Sequence, residues 1–196
     1  MFVNRQQELA YFNGILAQSR SGPAQLLLLY GRRRLGKTTL LQHWARYSGF
    51  NYTYWLADQG PSALQRRNLY AAVSGIKAAD SPLMESWSQF WEWLADHLQQ
   101  QYSRHILILD ELPLASAADP EMLSSLLEVW NQQLQYRNVV LVLSGSNVPA
   151  MEAVAGPDSP LYGRVSGEWQ LRPLAFHTLR HFFPTWDVSE RIALYS

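Results

Sequence analysis

Cysteine is absent from the chain, which excludes disulfides and thiolate metal sites and fits a reducing compartment, so the cytoplasm is the expected location. Net charge is absent too. Sixteen lysines and arginines balance sixteen aspartates and glutamates, so no global field draws the chain to a nucleic-acid backbone or an anionic membrane. The apolar run "QLLLLY" is far shorter than the roughly 20 residues of a membrane helix, and no membrane partner is expected. The opening "MFVNRQQELAYF" lacks the basic region, apolar stretch and cleavage site of a secretory signal. There is no internal repeat, low-complexity tract or clear linker. No G-x-S-x-G elbow supports serine hydrolase chemistry.

What is present suffices for one compact domain: 196 residues, 47% of them apolar. Short apolar runs alternate with amphipathic stretches, the pattern of a parallel sheet covered by helices on both faces. The expected strands are residues 25–30, 52–57, 105–110, 138–145 and 168–174. "LLLL" and "ILIL" do not alternate because a central strand is buried on both faces, whereas the last strand alternates as an edge strand does. Asn4 is the expected cap of a first helix, with Gln7 reaching back and Leu9, Phe12, Ile15 and Leu16 on one face. Asp119 and Pro120 open another, along which Leu123, Leu126, Leu127, Trp130 and Leu134 recur at helical spacing. The connection over 58–104 is long enough for two helices, the second bearing a stripe of Trp87, Phe90, Trp91, Leu94 and Leu98. That stripe reads as core packing, with a partner-binding surface as the alternative.

Chemistry concentrates in three places. Gly31, Gly36, Lys37 and Thr38 satisfy G-x-x-x-x-G-K-S/T between an apolar strand and a helical run. Such a loop turns around an anion so that backbone N–H groups and the positive end of the helix face one point. Arg32, Arg33, Arg34 and Leu35 fill its variable positions and Thr39 follows it, all contributing backbone N–H groups. Lys37 then reaches the β- and γ-phosphates, and the Thr38 hydroxyl serves Mg²⁺. "HILILDEL" is an apolar strand ending in two acids: Asp110 to hold the metal and Glu111 to polarise an attacking water. "LSGSN" ends the fourth strand, where Ser144, Ser146 and Asn147 are either turn residues or a sensor of the γ-phosphate or the water. His177 and His181 are spaced as two metal ligands on a helix would be, but no third ligand is evident and a solvated helix is the simpler reading.

In this order the blocks resemble the archaeal-type ATPase family, P-loop proteins of the AAA+ and STAND class. "FVNRQQEL", "LYGRRRLGKTTLL", "ILILDELP", "LVLSGSN", "SPLYGR" and "WQLRPLAF" correspond to its opening box, phosphate loop, Walker B strand, sensor strand, pre-strand arginine and fifth strand. The resemblance implies a P-loop three-layer α/β sandwich with a five-stranded parallel sheet of order 5-1-4-3-2, and ATP with Mg²⁺ as ligands. It places Arg5 beside the nucleotide base, against the alternative of a surface arginine. It makes Arg164 a candidate finger for a neighbouring subunit's γ-phosphate, against a structural pair with Asp158 or Glu168. For Arg32 to Arg34 two readings stand: contact with an acidic partner or a nucleic-acid phosphate, or a solvated loop. It also implies a core over residues 1–186, with 58–104 a helical insert, and the start of a truncated lid region at 187–196.

The expected activity is hydrolysis of ATP to ADP and phosphate, with Lys37, Glu111, Asn147 and Arg164 as the catalytic set, coupled to a conformational step in a larger protein. A STAND-type switch with little turnover is the first alternative. A nucleic-acid loader is the second and requires a binding element outside these residues. A protein partner or self-association is expected.

Overall fold

The computed structural model describes residues 2, 4–18, 23–101 and 103–195. The chain runs α1 (Gln6–Gln18), β1 (Gln25–Tyr30), α2 (Lys37–Tyr47), β2 (Asn51–Leu56), α3 (Ser62–Ser74), α4 (Trp87–Gln99) and β3 (His105–Asp110). It continues through α5 (Leu112–Ala118), α6 (Glu121–Gln132), β4 (Val139–Gly145), α7 (Val148–Ala155), β5 (Gly167–Gln170), α8 (Leu179–Phe182) and α9 (Val188–Tyr195). All strand pairs are parallel, in the order β2-β3-β4-β1-β5, which is the expected 5-1-4-3-2 read from the other edge.

The period of two along each central strand divides the core into two layers. Leu26, Leu28, Leu107, Leu109, Leu141 and Leu143 face Trp91, Leu94, Leu126 and Trp130 of α4 and α6. Leu27, Leu29, Ile106, Ile108, Val140 and Val142 face Phe12, Leu40, Leu41 and Trp44 of α1 and α2. Each such side chain contributes about 1.5–3 kcal/mol through burial, which is why neither face of "LLLL" has room for a polar residue. The aromatic stripe of α4 is core: Trp87, Phe90, Trp91, Leu94 and Leu98 are all buried.

Three local expectations are corrected. Asn4 does not cap α1: it and Arg5 are left-handed (φ 61° and 71°), its Nδ2 donates to Thr178 Oγ1 (2.9 Å), and Arg5 O takes the first helical bond from Leu9 N (3.0 Å). β5 ends at Gln170, well short of residue 174, because β1 stops at Tyr30. Leu171 N makes the last bond, to Tyr30 O (2.6 Å), and beyond it there is no strand left to pair with. Pro113 stands in the first turn of α5, where its missing N–H costs nothing. Asp119 is not the cap of α6: Pro120 takes that position and Asp119 stands one residue earlier, its Oδ1 accepting from Glu121 N (3.2 Å).

Candidate functional site

β1, β3 and β4 all point their carboxyl ends the same way, so the three chemistry-bearing segments emerge side by side. The loop between β1 and α2 depends on its two glycines for different reasons. A Cβ on Gly31 would lie 2.4 Å from Leu171 O, so the chain leaving β5 could not pass. Gly36, the residue before α2, has φ 88°, which a side chain disfavours. Among the described residues no side chain caps α2, so its first-turn N–H groups and the positive end of its dipole are directed at the loop.

Lys37 is buried, and its Nζ donates to Gly31 O (2.8 Å) and Arg32 O (3.2 Å). Burial lowers its pKa, opposed by the charges of Glu111 and Asp110. Arg32, Arg33 and Arg34 are exposed, Arg34 in a left-handed conformation (φ 66°). Leu35 is half-buried, while Thr38 and Thr39 on the first turn of α2 are exposed.

Asp110 is fully buried and its carboxylate accepts from Thr38 Oγ1 (2.6 Å), Tyr54 OH (2.8 Å) and Glu111 N (3.0 Å). Burial, then the charge of Asp110, raises the Tyr54 pKa, keeping that phenol a donor. Thr38 and Asp110 are thus brought together, as a shared hard cation requires. The next residue departs from the strand: Glu111 is left-handed (φ 53°) and its Oε2 accepts from Ser146 N (3.1 Å) and Ser146 Oγ (2.8 Å). The acid therefore spans the gap to the end of β4.

The sensor segment divides its residues among three tasks. Ser146 meets Glu111. Asn147 turns its Oδ1 to Ala150 N (3.2 Å) and caps α7, while Ser144 is buried with its Oγ unpartnered among the described residues. Tyr54 and the pairing of Ser146 with Glu111 were missed by sequence reasoning. The Tyr54 signal was its place on β2, whose register lays it beside Ile108, two residues before Asp110.

The two remaining arginines lie apart. Arg5 is no surface residue: it is buried, with Glu8 Oε1, Arg172 O and Leu35 O each 2.9 Å from its guanidinium. A cavity of about 440 Å³ opens beside it, lined by Glu8, Trp169, Arg172 and His177 among others. Arg164 lies at the opposite end of the sheet, near Gln25 where β1 begins, and its Nε donates to Asn131 Oδ1 (2.7 Å). The structural pair weighed for it is not formed, since neither Asp158 nor Glu168 bridges to it among the described ion pairs. The length of β1, roughly 20 Å for six residues, separates it from its own phosphate loop.

A buried strand, a glycine-lysine loop opening a helix and an acid on a neighbouring strand define a P-loop nucleotide-binding protein of ATPase type. Residues 2–190 match the family described as the ATPase domain predominantly from Archaea, and the chain belongs to that family. It is similar to the protein MJECL04 of Methanocaldococcus jannaschii, 31% identical over 196 residues, and spans 41% of that relative's length. Among solved structures it resembles the Aeropyrum pernix ORC2 protein in ADPNP-ADP complexes, at TM-score 0.69 and 18% identity, covering 97% of this chain and 52% of that one. It also resembles the Walker-type ATPase paby2304 of Pyrococcus abyssi, at TM-score 0.61 and 20% identity, covering 95% and 60%. At these identities the structural likeness is one of fold. Among the described residues, no helix is long and apolar enough to cross a membrane.

Proposed function

We propose that the chain binds ATP with Mg²⁺ and hydrolyses it to ADP and phosphate, and that the nucleotide state drives a conformational step in a larger protein. The observation that carries this reading is the 2.6 Å bond between Thr38 Oγ1 and Asp110 Oδ2, which joins two motifs 72 residues apart beside the loop lysine. The hydroxyl and the buried carboxylate are the oxygen donors that Mg²⁺ takes, so these two residues fit the ion and would hold it. Bound there, the ion would neutralise charge on phosphate oxygens.

The chain's own groups do the rest. Lys37 Nζ and the loop amides bind and orient the phosphates. Glu111 Oε1 accepts the hydrogen bond of the attacking water, while Ser146 holds Oε2. Arg164 is remote from its own loop, so as a finger it serves a second copy, which fits self-association. Residues 1–186 are the working core.

The Ser146 pair on Glu111 also favours a second reading, a switch with little turnover in which that acid is held back. Steady-state ATPase assays on two variants separate them. For an enzyme, Glu111→Gln keeps nucleotide binding and lowers turnover by about 10²–10³, and Ser146→Ala also lowers turnover because the acid loses its orientation. A rise in turnover for Ser146→Ala supports the switch. Undiminished turnover in Glu111→Gln removes that residue from the mechanism.

A further inference from the structure

Arg5 holds the phosphate loop from outside. Its Nη2 donates to Leu35 O, and its Nη1 donates to Glu8 Oε1 and Arg172 O, so one guanidinium joins α1, the chain leaving β5 and the loop. The turn presenting it is itself fastened. Asn4 Nδ2 donates to the buried Thr178 Oγ1, and both Asn4 and Arg5 are left-handed, a conformation kept only where surroundings enforce it.

Leu35 and Gly36 share one trans peptide unit, in which C=O and N–H point in opposite directions. Drawing Leu35 O toward Arg5 therefore turns Gly36 N–H the other way, away from Arg5 and Glu8. A glycine peptide needs such a restraint. Gly36 has no side chain to fix it, and the space where a Cβ would stand is open. The chain leaving β5 also touches the other end of the loop, through the close approach of Leu171 O to Gly31.

Resting on the reading of this loop as a polyphosphate site, we propose that Arg5 is a positioning residue: by holding Leu35 O it aims Gly36 N–H at the phosphates, and by holding Arg172 O it ties that aim to the exit of β5. Arg5 thereby acts on the phosphate end of the nucleotide without touching the ligand.

The test titrates the wild type, Arg5→Lys, and Arg5→Met combined with Glu8→Gln with ATP and with inorganic tripolyphosphate, which has no base. Lysine keeps a charge beside Glu8 but lacks the fork that spans two carbonyls, and the double variant leaves no unpaired charge, which lessens the cost to the fold. The expected result is that both ligands weaken by the same factor, about tenfold. The Gly36 amide NMR signal, displaced by tripolyphosphate in the wild type, is displaced less in the variants. Loss of ATP affinity alone would instead make Arg5 a base contact and overturn the proposal. Lower thermal stability with both affinities and the Gly36 displacement unchanged reduces it to a structural tie and overturns it as well. A wild type that binds neither ligand removes the phosphate site, and the proposal with it.

Discussion

The two ends of the sheet bury polar groups in different ways. At the amino end Arg104 Nε donates to Asn138 Oδ1 (2.7 Å) and Nη2 to Pro23 O (3.3 Å), while His105 Nε2 meets Thr53 Oγ1 (2.9 Å). These pairs reach across 34, 81 and 52 positions of sequence, and His105 Nδ1 is buried without a partner among the described residues. At the carboxyl end three charged side chains, Lys37, Asp110 and Glu111, gather against loop carbonyls, hydroxyls and amides. Left-handed Arg34 and Glu111 lie at that end too. Strain and concentrated charge coincide there, the pattern of a site in which local structure yields to chemistry, whereas the amino end only closes the fold.

The largest expected effect that would break this contrast is Lys37→Ala, which removes the loop's ammonium and weakens nucleotide binding by roughly a hundredfold or more in calorimetry. Retained affinity would make the carboxyl end as structural as the other.

Next comes a pH effect from the amino end. His105 is pushed from 6.5 down to about 4 by burial, then by the charge of His97 nearby. Its folded pKa lies below its unfolded one, so the unfolded chain binds the extra proton between these values. The stability is fully present above pH 6.5 and is lost as pH falls to about 4. The loss should be on the order of 3 kcal/mol, and His105→Gln should flatten that portion of a urea midpoint series against pH. A wild type and variant with parallel pH dependence would contradict it.

The smallest effect concerns Arg164. Arg164→Ala should leave nucleotide affinity within about twofold, as an exposed residue a strand's length from the loop must, and lower turnover only at concentrations where chains associate. A large loss of affinity in dilute protein would mean that the two ends are coupled.

Much of this was legible in the sequence because periodicity and motif spacing are local. The two-sided burial of "LLLL" and "ILIL", the helical spacing of Trp87 to Leu98 and the loop from Gly31 to Thr38 all read directly into elements. What escaped depends on contacts between distant segments. The Ser146 pair with Glu111 follows from a left-handed turn after β3 that no residue type announces, and Asn147 was drawn into capping α7 by the N–H groups exposed there. Asn4 has the composition of a cap but is claimed by Thr178, 174 positions away. α5 was hidden because Pro113 both ends strands and begins helices, and only the turn at Glu111 decides which.

The most direct test of the central claim is calorimetric titration of the chain with ATP, with and without Mg²⁺, in the wild type and in Asp110→Asn. Mg²⁺ is expected to tighten ATP binding in the wild type, and this gain to disappear in the variant while metal-free binding persists. Absence of binding to folded wild type, or the same gain from Mg²⁺ in both proteins, would contradict it.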